Sequence, residues 1–320
     1  MRIGIDIMGG DYAPDNIVQG AMDACAKLGA GSQLVLFGDQ RQIIACCEKA
    51  GFDYAAFEIV HTTEVIEMGD HPAKAFQQKA DSSIVVGFKA LAAQNIDGFA
   101  SAGSTGAMLA GAMYTVRPIE GIIRPAIASD IPLLTGGRAL ILDVGLNADC
   151  KPDVLYQYGI LGAIYAHLMN GLETPRVALL NIGAEEEKGN LLTKETFKLM
   201  KDSTDFHFVG NIEAHNQFSG KVADVIVTDG FVGNIVLKQA EAMYRMTKKR
   251  NIDDEFFNRF NYELYGGTPV LGVNAPIIIG HGASTPLAIT NMILQTEQAI
   301  KVRLVTKIKE ALYKSKTSIT

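Results

Sequence analysis

Short apolar runs rich in β-branched residues alternate with longer segments of helical periodicity along almost the whole chain. The runs predicted as strands are 2–7, 34–37, 57–61, 98–101, 126–131, 139–144, 177–182, 206–209, 225–228 and 277–279. The segments predicted as helices are 16–28, 82–94, 107–114, 154–169, 188–200, 234–249 and 286–313, the last with Ser284 as its N-cap. Such alternation is typical of a parallel sheet with helices on both faces. The sequence therefore predicts a three-layer α/β/α fold with a largely parallel, doubly wound sheet.

The predicted strands end in residues that suit turns and polar contacts. Gly, Asp, Asn or Ser follows most of them, as in Gly9-Gly10-Asp11, Asp143-Val144-Gly145 and Thr228-Asp229-Gly230. Turns use these residues for reasons unrelated to function, and that explanation covers about half of the cases. Their repetition favours a ligand site beyond the carboxyl ends of the strands, where open α/β sheets bind ligands.

The stretch 97–107 is the most informative turn, because a strand passes through small residues directly into a helix. Its glycines and hydroxyl-bearing residues are Ser101, Gly103, Ser104, Thr105 and Gly106. Glycines allow a sharp turn and close approach to a ligand, and the first helical turn leaves backbone N–H groups free. Together with the positive end of the helix dipole, they suit phosphate or a developing oxyanion. An ordinary β-α turn explains the stretch about equally well.

A second strand-to-helix turn follows the predicted strand 225–228. It carries Asp229, Gly233 and Asn234, with Gly233 and Asn234 expected at the helix cap and Lys238 about one turn into the helix. It repeats the arrangement of the first turn and predicts groups that orient a substrate.

Three further side chains are candidates for binding or proton transfer. Lys188 follows three consecutive glutamates, and its ammonium suits a phosphate; a solvated acidic helix start is the alternative. Arg124 precedes a predicted strand, and its alternative is a surface ion pair. His281 lies in Gly280-His281-Gly282 after strand 277–279, where it points into a site or is a half-buried turn residue. The histidines and carboxylates lack metal-ligand spacing, and no Walker, Gly-x-Gly-x-x-Gly or Gly-x-Ser-x-Gly motif is present, so we predict neither metal nor cofactor.

Composition restricts the classes of partner and the cellular locations that fit this chain. The chain has 320 residues, 48% of them apolar, and a net charge of −6, which argues against nucleic acid as the main partner. Its four cysteines have no C-x-x-C spacing and are expected to be reduced. The N-terminus resembles no signal peptide and no apolar run reaches about 18 residues. We expect a cytoplasmic protein, with peripheral membrane attachment left open, and one domain over 1–320 with an active-site cleft.

The chain resembles the bacterial phosphate acyltransferases of phospholipid synthesis from residue 3 to about residue 300. The segments that carry the resemblance include Asp6-Ile7-Met8-Gly9-Gly10-Asp11, His61-Thr62-Thr63-Glu64-Val65-Ile66, Ser101-Ala102-Gly103-Ser104-Thr105-Gly106-Ala107, Arg124-Pro125-Ala126, Leu142-Asp143-Val144-Gly145, Asn181-Ile182-Gly183, Gly210-Asn211-Ile212-Glu213, 228–238 and Gly280-His281-Gly282. So many matches in the same order are far more specific than any single glycine motif.

The resemblance implies a fold similar to the phosphotransacetylase and isocitrate dehydrogenase class, and a homodimer. It implies reversible transfer of a long-chain acyl group from acyl carrier protein to inorganic phosphate, giving acyl phosphate for the glycerol-phosphate acyltransferase. Phosphate is itself the nucleophile, so the protein has to hold its charge and stabilise the oxyanion. The hydroxyls and amides of 101–106 are expected to do so, with Lys188 and Arg124 as cationic clamps. Asp229 and Asn234 are expected to orient substrate, and His281 to protonate the leaving thiol.

The segment 245–265 departs from the family's pattern, being shorter and more polar than the apolar tip thought to touch the membrane. Phe256, Phe257 and Phe260 are spaced as on one helix face. The basic residues Arg245, Lys248, Lys249 and Arg250 are candidates to receive the acidic carrier protein, or form a solvated helix face.

Two rival functions stay open at this point. A nicotinamide-dependent dehydrogenase would need a ribose-binding acid and a metal-binding carboxylate cluster, and neither is evident. A non-catalytic lipid-binding or scaffold protein of phospholipid synthesis is the other alternative, and the amphipathic stretch 253–265 favours it.

Overall fold

The computed structural model describes residues 1–317, which form two compact units. The first unit comprises Met1–Pro118 and Tyr262–Lys301, and the second comprises Ile119–Asn261 and the residues from Val302 onward. Compact units within one chain are not by themselves separately folding domains, so the expectation of one domain over 1–320 stays a prediction.

Strands and helices alternate as the sequence pattern indicates. The strands are β1 (Arg2–Asp6), β2 (Gln33–Gly38), β3 (Glu58–His61), β4 (Gly98–Ser101), β5 (Ala126–Pro132), β6 (Arg138–Leu142), β7 (Arg176–Asn181), β8 (His207–Glu213), β9 (Val225–Val227), β10 (Thr268–Leu271) and β11 (Ile277–Ile279). The helices are α1 (Asp15–Cys25), α2 (Gln40–Lys49), α3 (Pro72–Gln78), α4 (Ser83–Ala92), α5 (Thr105–Gly111), α6 (Pro152–Asn170), α7 (Leu191–Met200), α8 (Gly230–Lys249), α9 (Glu255–Asn258), α10 (Pro286–Lys301) and α11 (Leu304–Thr317).

The first unit contains a six-stranded sheet in the order β3-β2-β1-β4-β11-β10, parallel except for β10. Successive residues of β2 enter different cores: Leu34 and Leu36 pack with α1 and α10 residues, and Val35 and Phe37 with α4 and α5 residues. Helices therefore cover both faces, as the three-layer prediction requires. Ile5 pairs with Ala100, and Ser101 with Ile279, so the carboxyl ends of β1, β4 and β11 lie side by side.

The second unit contains a five-stranded sheet in the order β5-β6-β9-β7-β8, in which β5 alone runs antiparallel to its neighbour. Val227 pairs with Leu142 on one side and with Leu179 on the other, so the carboxyl ends of β6, β9 and β7 adjoin. The antiparallel pairing of Ala128 with Leu142 brings the start of β5 to the same edge. Each sheet thus has one edge at which several functional candidates leave the strands.

The C-terminal helical segment differs from its prediction in two respects. The predicted helix 286–313 is wrong as one helix: α10 ends at Lys301 and α11 begins at Leu304, because Arg303 adopts a left-handed φ of 54°, which an α-helix of L-residues does not tolerate. The hydroxyl of Thr285 accepts the Ala288 N–H in the first turn of α10, at 3.5 Å. The expected N-cap, Ser284, does not make this bond.

The segment 253–265 is also less regular than its amphipathic pattern suggests, with α9 covering four residues and a 3₁₀ turn at Tyr262–Leu264. The phenylalanines nevertheless cluster: the ring of Phe260 lies 5.3 Å from that of Phe256 and 5.2 Å from that of Phe218. Over residues 1–317, none of the helices is both long enough and apolar enough to cross a bilayer.

Candidate active site

In the first unit, the loops that follow β1, β4 and β11 contact one another. The backbone N–H of Asp11 donates to the carbonyl of Gly282 at 2.8 Å. A Cβ on Gly9 would lie 2.7 Å from both the nitrogen and the Cα of Gly103, and closer still to the carboxylate of Asp6. Only glycine permits this approach of two backbones. The Gly-rich turn after β4 is therefore held in place by the turn after β1.

The buried carboxylate of Asp6 fixes this arrangement. It accepts a hydrogen bond from the Ser101 hydroxyl at 2.5 Å and one from the Met8 N–H at 3.0 Å. The same hydroxyl accepts the N–H of Gly103 at 2.9 Å. Burial raises the pKa of Asp6, and hydrogen bonds from Ser101 and Ser83 oppose that rise. The hydroxyl of Ser101, predicted to bind phosphate, is thus already bonded on both its donor and its acceptor side.

The rest of the turn leads into α5. Ser104 is the N-cap and accepts the N–H of Ala107 at 3.4 Å, while Thr105 is exposed. Gly106 packs on α3, since a Cβ there would collide with the ring of Pro72. Thr105 and Gly106 carry first-turn N–H groups, for which an α-helix has no acceptor of its own. These donors and the Thr105 hydroxyl are the groups that the turn offers to an anion.

His281 lies in the loop after β11, so the structure brings it to the same edge as the Gly-rich turn. Its ring is exposed and packs on Tyr262, with 4.9 Å between ring centroids. Nδ1 accepts the N–H of Ala283 at 3.1 Å, so the neutral ring carries its proton on Nε2. In this tautomer Nε2–H is the hydrogen-bond donor of the ring.

In the second unit, the buried carboxylate of Asp143 plays the part that Asp6 plays in the first. One oxygen accepts the N–H groups of Ile127 at 3.0 Å and Leu146 at 3.3 Å. The other accepts the backbone N–H of Asn147 at 2.6 Å and its side-chain amide at 3.1 Å. Burial raises the pKa of Asp143, against the effect of these bonds. The carboxylate joins the start of β5 to the loop after β6.

Asn147 extends this network towards Arg124. Its side-chain amide donates to the Pro125 carbonyl at 2.7 Å and to the Tyr158 hydroxyl at 2.8 Å. The exposed Arg124 guanidinium donates to the Asp149 carbonyl at 3.0 Å, which leaves its charge without a carboxylate partner in this contact. Burial raises the pKa of the neighbouring Cys150 thiol to about 11. Cys150 is therefore a thiol at neutral pH and is poorly suited to act as a nucleophile.

The turn after β9 and the start of α8 pack against Asp143. Asp229 is the N-cap of α8 and accepts the Val232 N–H at 2.8 Å, so the expectation that Gly233 and Asn234 form the cap is wrong and Lys238 lies two turns into the helix. A Cβ on Gly233 would collide with the Asp143 carbonyl oxygen, which explains the glycine. Asn234 is exposed and lies beside Gly145.

Lys188 lies in the loop that follows β7. Side-chain amides of β7 and β8 donate hydrogen bonds to the backbone of this loop. Asn181 donates to the Lys188 carbonyl at 3.1 Å, and Asn211 to the Glu185 carbonyl at 2.9 Å. The stem of Lys188 packs over Gly183. Its exposed ammonium has no hydrogen bond or ion pair with any residue between 1 and 317, whereas Glu186 pairs with Lys201 at 3.2 Å.

The structure thus brings the predicted residues together as two sets, one in each unit. Ser101, Gly103, Ser104, Thr105, Gly106 and His281 belong to the first set, and Arg124, Lys188, Asp229, Gly233 and Asn234 to the second. The sequence interpretation missed Asp6, Asp143 and Asn147. A sequence signal for the two aspartates exists: each directly follows an apolar strand and precedes a glycine within three residues.

Two other features of the described residues bear on the site. A cavity of about 670 Å³ in the first unit is lined by Arg2, Phe37, Glu58 and Lys89 among others, and none of the predicted site residues belongs to its lining. Within the part of the chain that the structure describes, His, Cys, Asp and Glu side chains form no cluster of three that would hold a metal ion.

Comparison with known proteins gives a consistent result. The profile of a family described as fatty acid synthesis protein matches residues 1–250. Phosphate acyltransferases of Dictyoglomus turgidum and Listeria innocua are 40% and 39% identical to this chain, with coverage of 98% or more of both sequences in each pair. That of Syntrophomonas wolfei is 42% identical over 91% of this chain and 92% of its own.

Solved structures extend the comparison to the fold. A phosphotransacetylase from Streptococcus pyogenes matches with a TM-score of 0.65 and 17% identity, and the EutD phosphotransacetylase from Staphylococcus aureus with 0.63 and 16%, each covering 94% of both chains. At this identity the likeness concerns the fold alone. It confirms the predicted three-layer α/β/α class with a largely parallel sheet.

Proposed function

We propose an acyl donor and a set of residue roles for this chain, which belongs to the fatty acid synthesis protein family and, like its phosphate acyltransferase relatives, is an acyltransferase that uses phosphate. Membership in a family of enzymes argues against the non-catalytic scaffold and the dehydrogenase alternatives. The proposed reaction is the reversible transfer of a long-chain fatty acyl group from acyl carrier protein to inorganic phosphate, giving acyl phosphate for phospholipid synthesis.

The proposed chemistry is direct attack by phosphate. A phosphate oxygen forms a bond to the thioester carbonyl carbon, the carbon–sulfur bond breaks, and the proton of hydrogen phosphate is balanced by the proton that the carrier-protein thiolate gains. The observation that carries this proposal is the kind of group at the two strand edges. The first edge offers first-turn amides and an exposed hydroxyl, and the second offers Lys188 and Arg124, which pair with no carboxylate among residues 1–317, and a cysteine whose thiol pKa is raised to about 11. Such groups hold anions, whereas a covalent acyl-enzyme would need an activated nucleophile.

Each residue has a proposed role within this scheme. The N–H groups of Thr105 and Gly106 and the Thr105 hydroxyl bind phosphate or the tetrahedral oxyanion, and loss of one such donor typically costs about a hundredfold in rate. Ser101, Gly103 and Ser104 shape the turn that presents them. Lys188 and Arg124 neutralise phosphate charge, and His281, in its protonated form, gives a proton to the leaving thiolate. Asp229, Gly233 and Asn234 orient substrate from the first turn of α8.

Acyl carrier protein is proposed to dock at the end of α8. Lys248 donates to the amide oxygen of Asn258 at 2.6 Å and lies 5.5 Å from the ring centroid of Tyr244, so its charge is not paired with a carboxylate there. Lys249 and Arg250 are exposed nearby. Because the whole protein is acidic, a local basic patch is needed to attract an acidic partner. Reversal of charge at Lys248 and Lys249 should lower kcat/KM for acyl carrier protein at low salt; an unchanged value would favour a merely solvated helix face.

Three proposals rest on the resemblance: homodimerisation, contact of 245–265 with a membrane, and contact of the protein with a glycerol-phosphate acyltransferase. A cytoplasmic location is likewise a proposal. The predicted absence of a cofactor likewise stays a prediction.

The decisive experiment supplies palmitoyl acyl carrier protein and inorganic phosphate to the purified protein and traps acyl phosphate as its hydroxamate. Phosphate-dependent hydroxamate, with an equal amount of free carrier-protein thiol, is the expected result. Intact acyl carrier protein in the presence of excess phosphate would refute the proposed donor. The same assay with short-chain acyl-coenzyme A would then show whether another thioester is used.

A further inference from the structure

Large apolar side chains stand exposed at the carboxyl edge of the second unit's sheet, beside the residues proposed to bind substrate. We call them the apolar rim: Ile182, Phe231, Val232 and Ile235. The exposed fractions are 81% for Ile182, 62% for Phe231 and 53% for Ile235. Exposed apolar side chains that are grouped in this way mark binding surfaces more often than scattered ones do.

Backbone register brings the members of the apolar rim together. Leu179 pairs with Val227, and neighbouring strands lie about 4.8 Å apart. Ile182 follows Leu179 by three residues and Phe231 follows Val227 by four, so the two loops leave the sheet side by side. The apolar rim is therefore one surface rather than two unrelated positions.

Fixed local structure keeps these side chains outward. Gly230 and Gly233 lie on one side of α8 and are buried against the loop of Asp143. Phe231 and Ile235, four residues apart, share the other side. In the neighbouring loop, the N–H of Ile182 donates to the side chain of Asn181 at 2.9 Å. In the folded protein these contacts leave the apolar side chains exposed.

We propose that the apolar rim binds the hydrocarbon chain of the acyl substrate, an inference that rests on the proposed function. The argument is continuity: Asp229 and Asn234 stand at the start of α8 with Phe231 and Ile235, and Lys188 stands in the loop of Ile182. These are the groups proposed to orient substrate and to hold phosphate. An acyl chain is joined to the reacting carbonyl, so it has to lie next to these groups. The far end of α8, where the basic residues lie, is about 30 Å from Phe231, because the helix has 20 residues. That end is too distant from the proposed phosphate and thioester groups to hold an acyl chain beside them.

The test compares acyl carrier protein loaded with chains of 8 and 16 carbons at saturating phosphate. In the Phe231→Ser/Ile235→Ser double variant, the ratio of kcat/KM for the long chain to that for the short chain should fall at least tenfold, which corresponds to about 1.4 kcal/mol. The KM for phosphate should stay within twofold of the wild-type value. Ile182→Ser, which lies outside any helix, should lower the same ratio without affecting folding. Leu199→Ser, another exposed apolar position on α7, is the matched control and should leave the ratio unchanged.

The outcomes separate this inference from the proposed function. A wild-type protein that forms no acyl phosphate from either chain refutes the proposed function. A wild-type protein that is active, with variants whose chain-length ratio is unchanged, overturns the apolar rim as an acyl site. If those variants instead lower the sedimentation mass while the ratio stays constant, the rim is a contact with a second copy of the chain, and the inference is equally overturned.

Discussion

The hydroxyl of Ser101 offers the sharpest test of how the Gly-rich turn is built. Ser101→Ala removes a group that donates to Asp6 at 2.5 Å and accepts from Gly103 at 2.9 Å, with both partners buried. An unsatisfied buried N–H costs about 1–3 kcal/mol, and a lost bond to a charged group about 1.5–3 kcal/mol. Because the two bonds share one atom, they are not fully additive. We expect a loss of about 3–5 kcal/mol in the free energy of unfolding at pH 8.

The loss should depend on pH in a defined direction. Burial raises the pKa of Asp6 in the folded protein, and the bond from Ser101 limits that rise. In the alanine variant the folded-state pKa is therefore higher still, so the folded form keeps its proton to higher pH than the unfolded form, whose pKa is about 3.9. Stability of the variant then falls further than that of the wild type as pH rises through this window. The difference between the two proteins should be smallest near pH 4.5 and largest at pH 8.

Chemical denaturation of both proteins at pH 4.5 and pH 8 measures this effect. Ser104→Ala is the matched control, because that hydroxyl only caps α5 at 3.4 Å and its loss should cost about 0.5–1 kcal/mol at either pH. An alanine variant at position 101 that is no less stable than the one at position 104, or that shows equal losses at both pH values, would refute the role given to Asp6.

Two further predictions concern the second unit. Lys188→Ala should raise the KM for phosphate about tenfold through the loss of one charge-assisted contact. The melting temperature should not fall, since the Lys188 ammonium has no partner between residues 1 and 317. Lys198→Ala, which removes another exposed charge, one paired with Glu195, is the control, and equal KM values for both variants would remove Lys188 from the site. Gly233→Ala should destabilise the protein by about 1–3 kcal/mol and lower kcat, because the new methyl collides with the carbonyl of Asp143. Gly69→Ala, with open space around the added methyl, should be neutral in unfolding and in turnover, and equal behaviour of the two alanine variants would contradict the collision.

Sequence patterns predicted the sheet well, because fully buried strands are continuous apolar runs. Strand β10 was missed since Pro269, preceded by Gly266 and Gly267, is typical of a loop, and only pairing with β11 makes the segment a strand. The break before α11 was missed for a related reason. Arg303 is a good helix former, so its residue type gives no signal of the left-handed conformation that it adopts.

The candidate site was predicted in its outline but not in its supporting contacts. The turn at 101–106 was evident from glycines and hydroxyls, which are local features. The hydrogen bond from the Ser101 hydroxyl to the Asp6 carboxylate was not evident, because 95 residues separate the two and only the pairing of β1 with β4 brings them together. The contact of Asp143 with the first turn of α8 likewise depends on strand order, since β6 pairs with β9. Chemistry at a strand end can be predicted from sequence, while the hydrogen-bond partner of a buried carboxylate depends on the fold.

The loop that carries Lys188 is fastened by the amide groups of Asn181 and Asn211 rather than by apolar packing, and Ile182 beside it is exposed. Segments held in this way open at a lower free energy than the sheet to which they are attached. Amide hydrogens of 182–190 should therefore exchange with solvent through local openings, long before those of β7. Low concentrations of urea would then abolish phosphate-dependent turnover while the circular dichroism of the sheet is still intact.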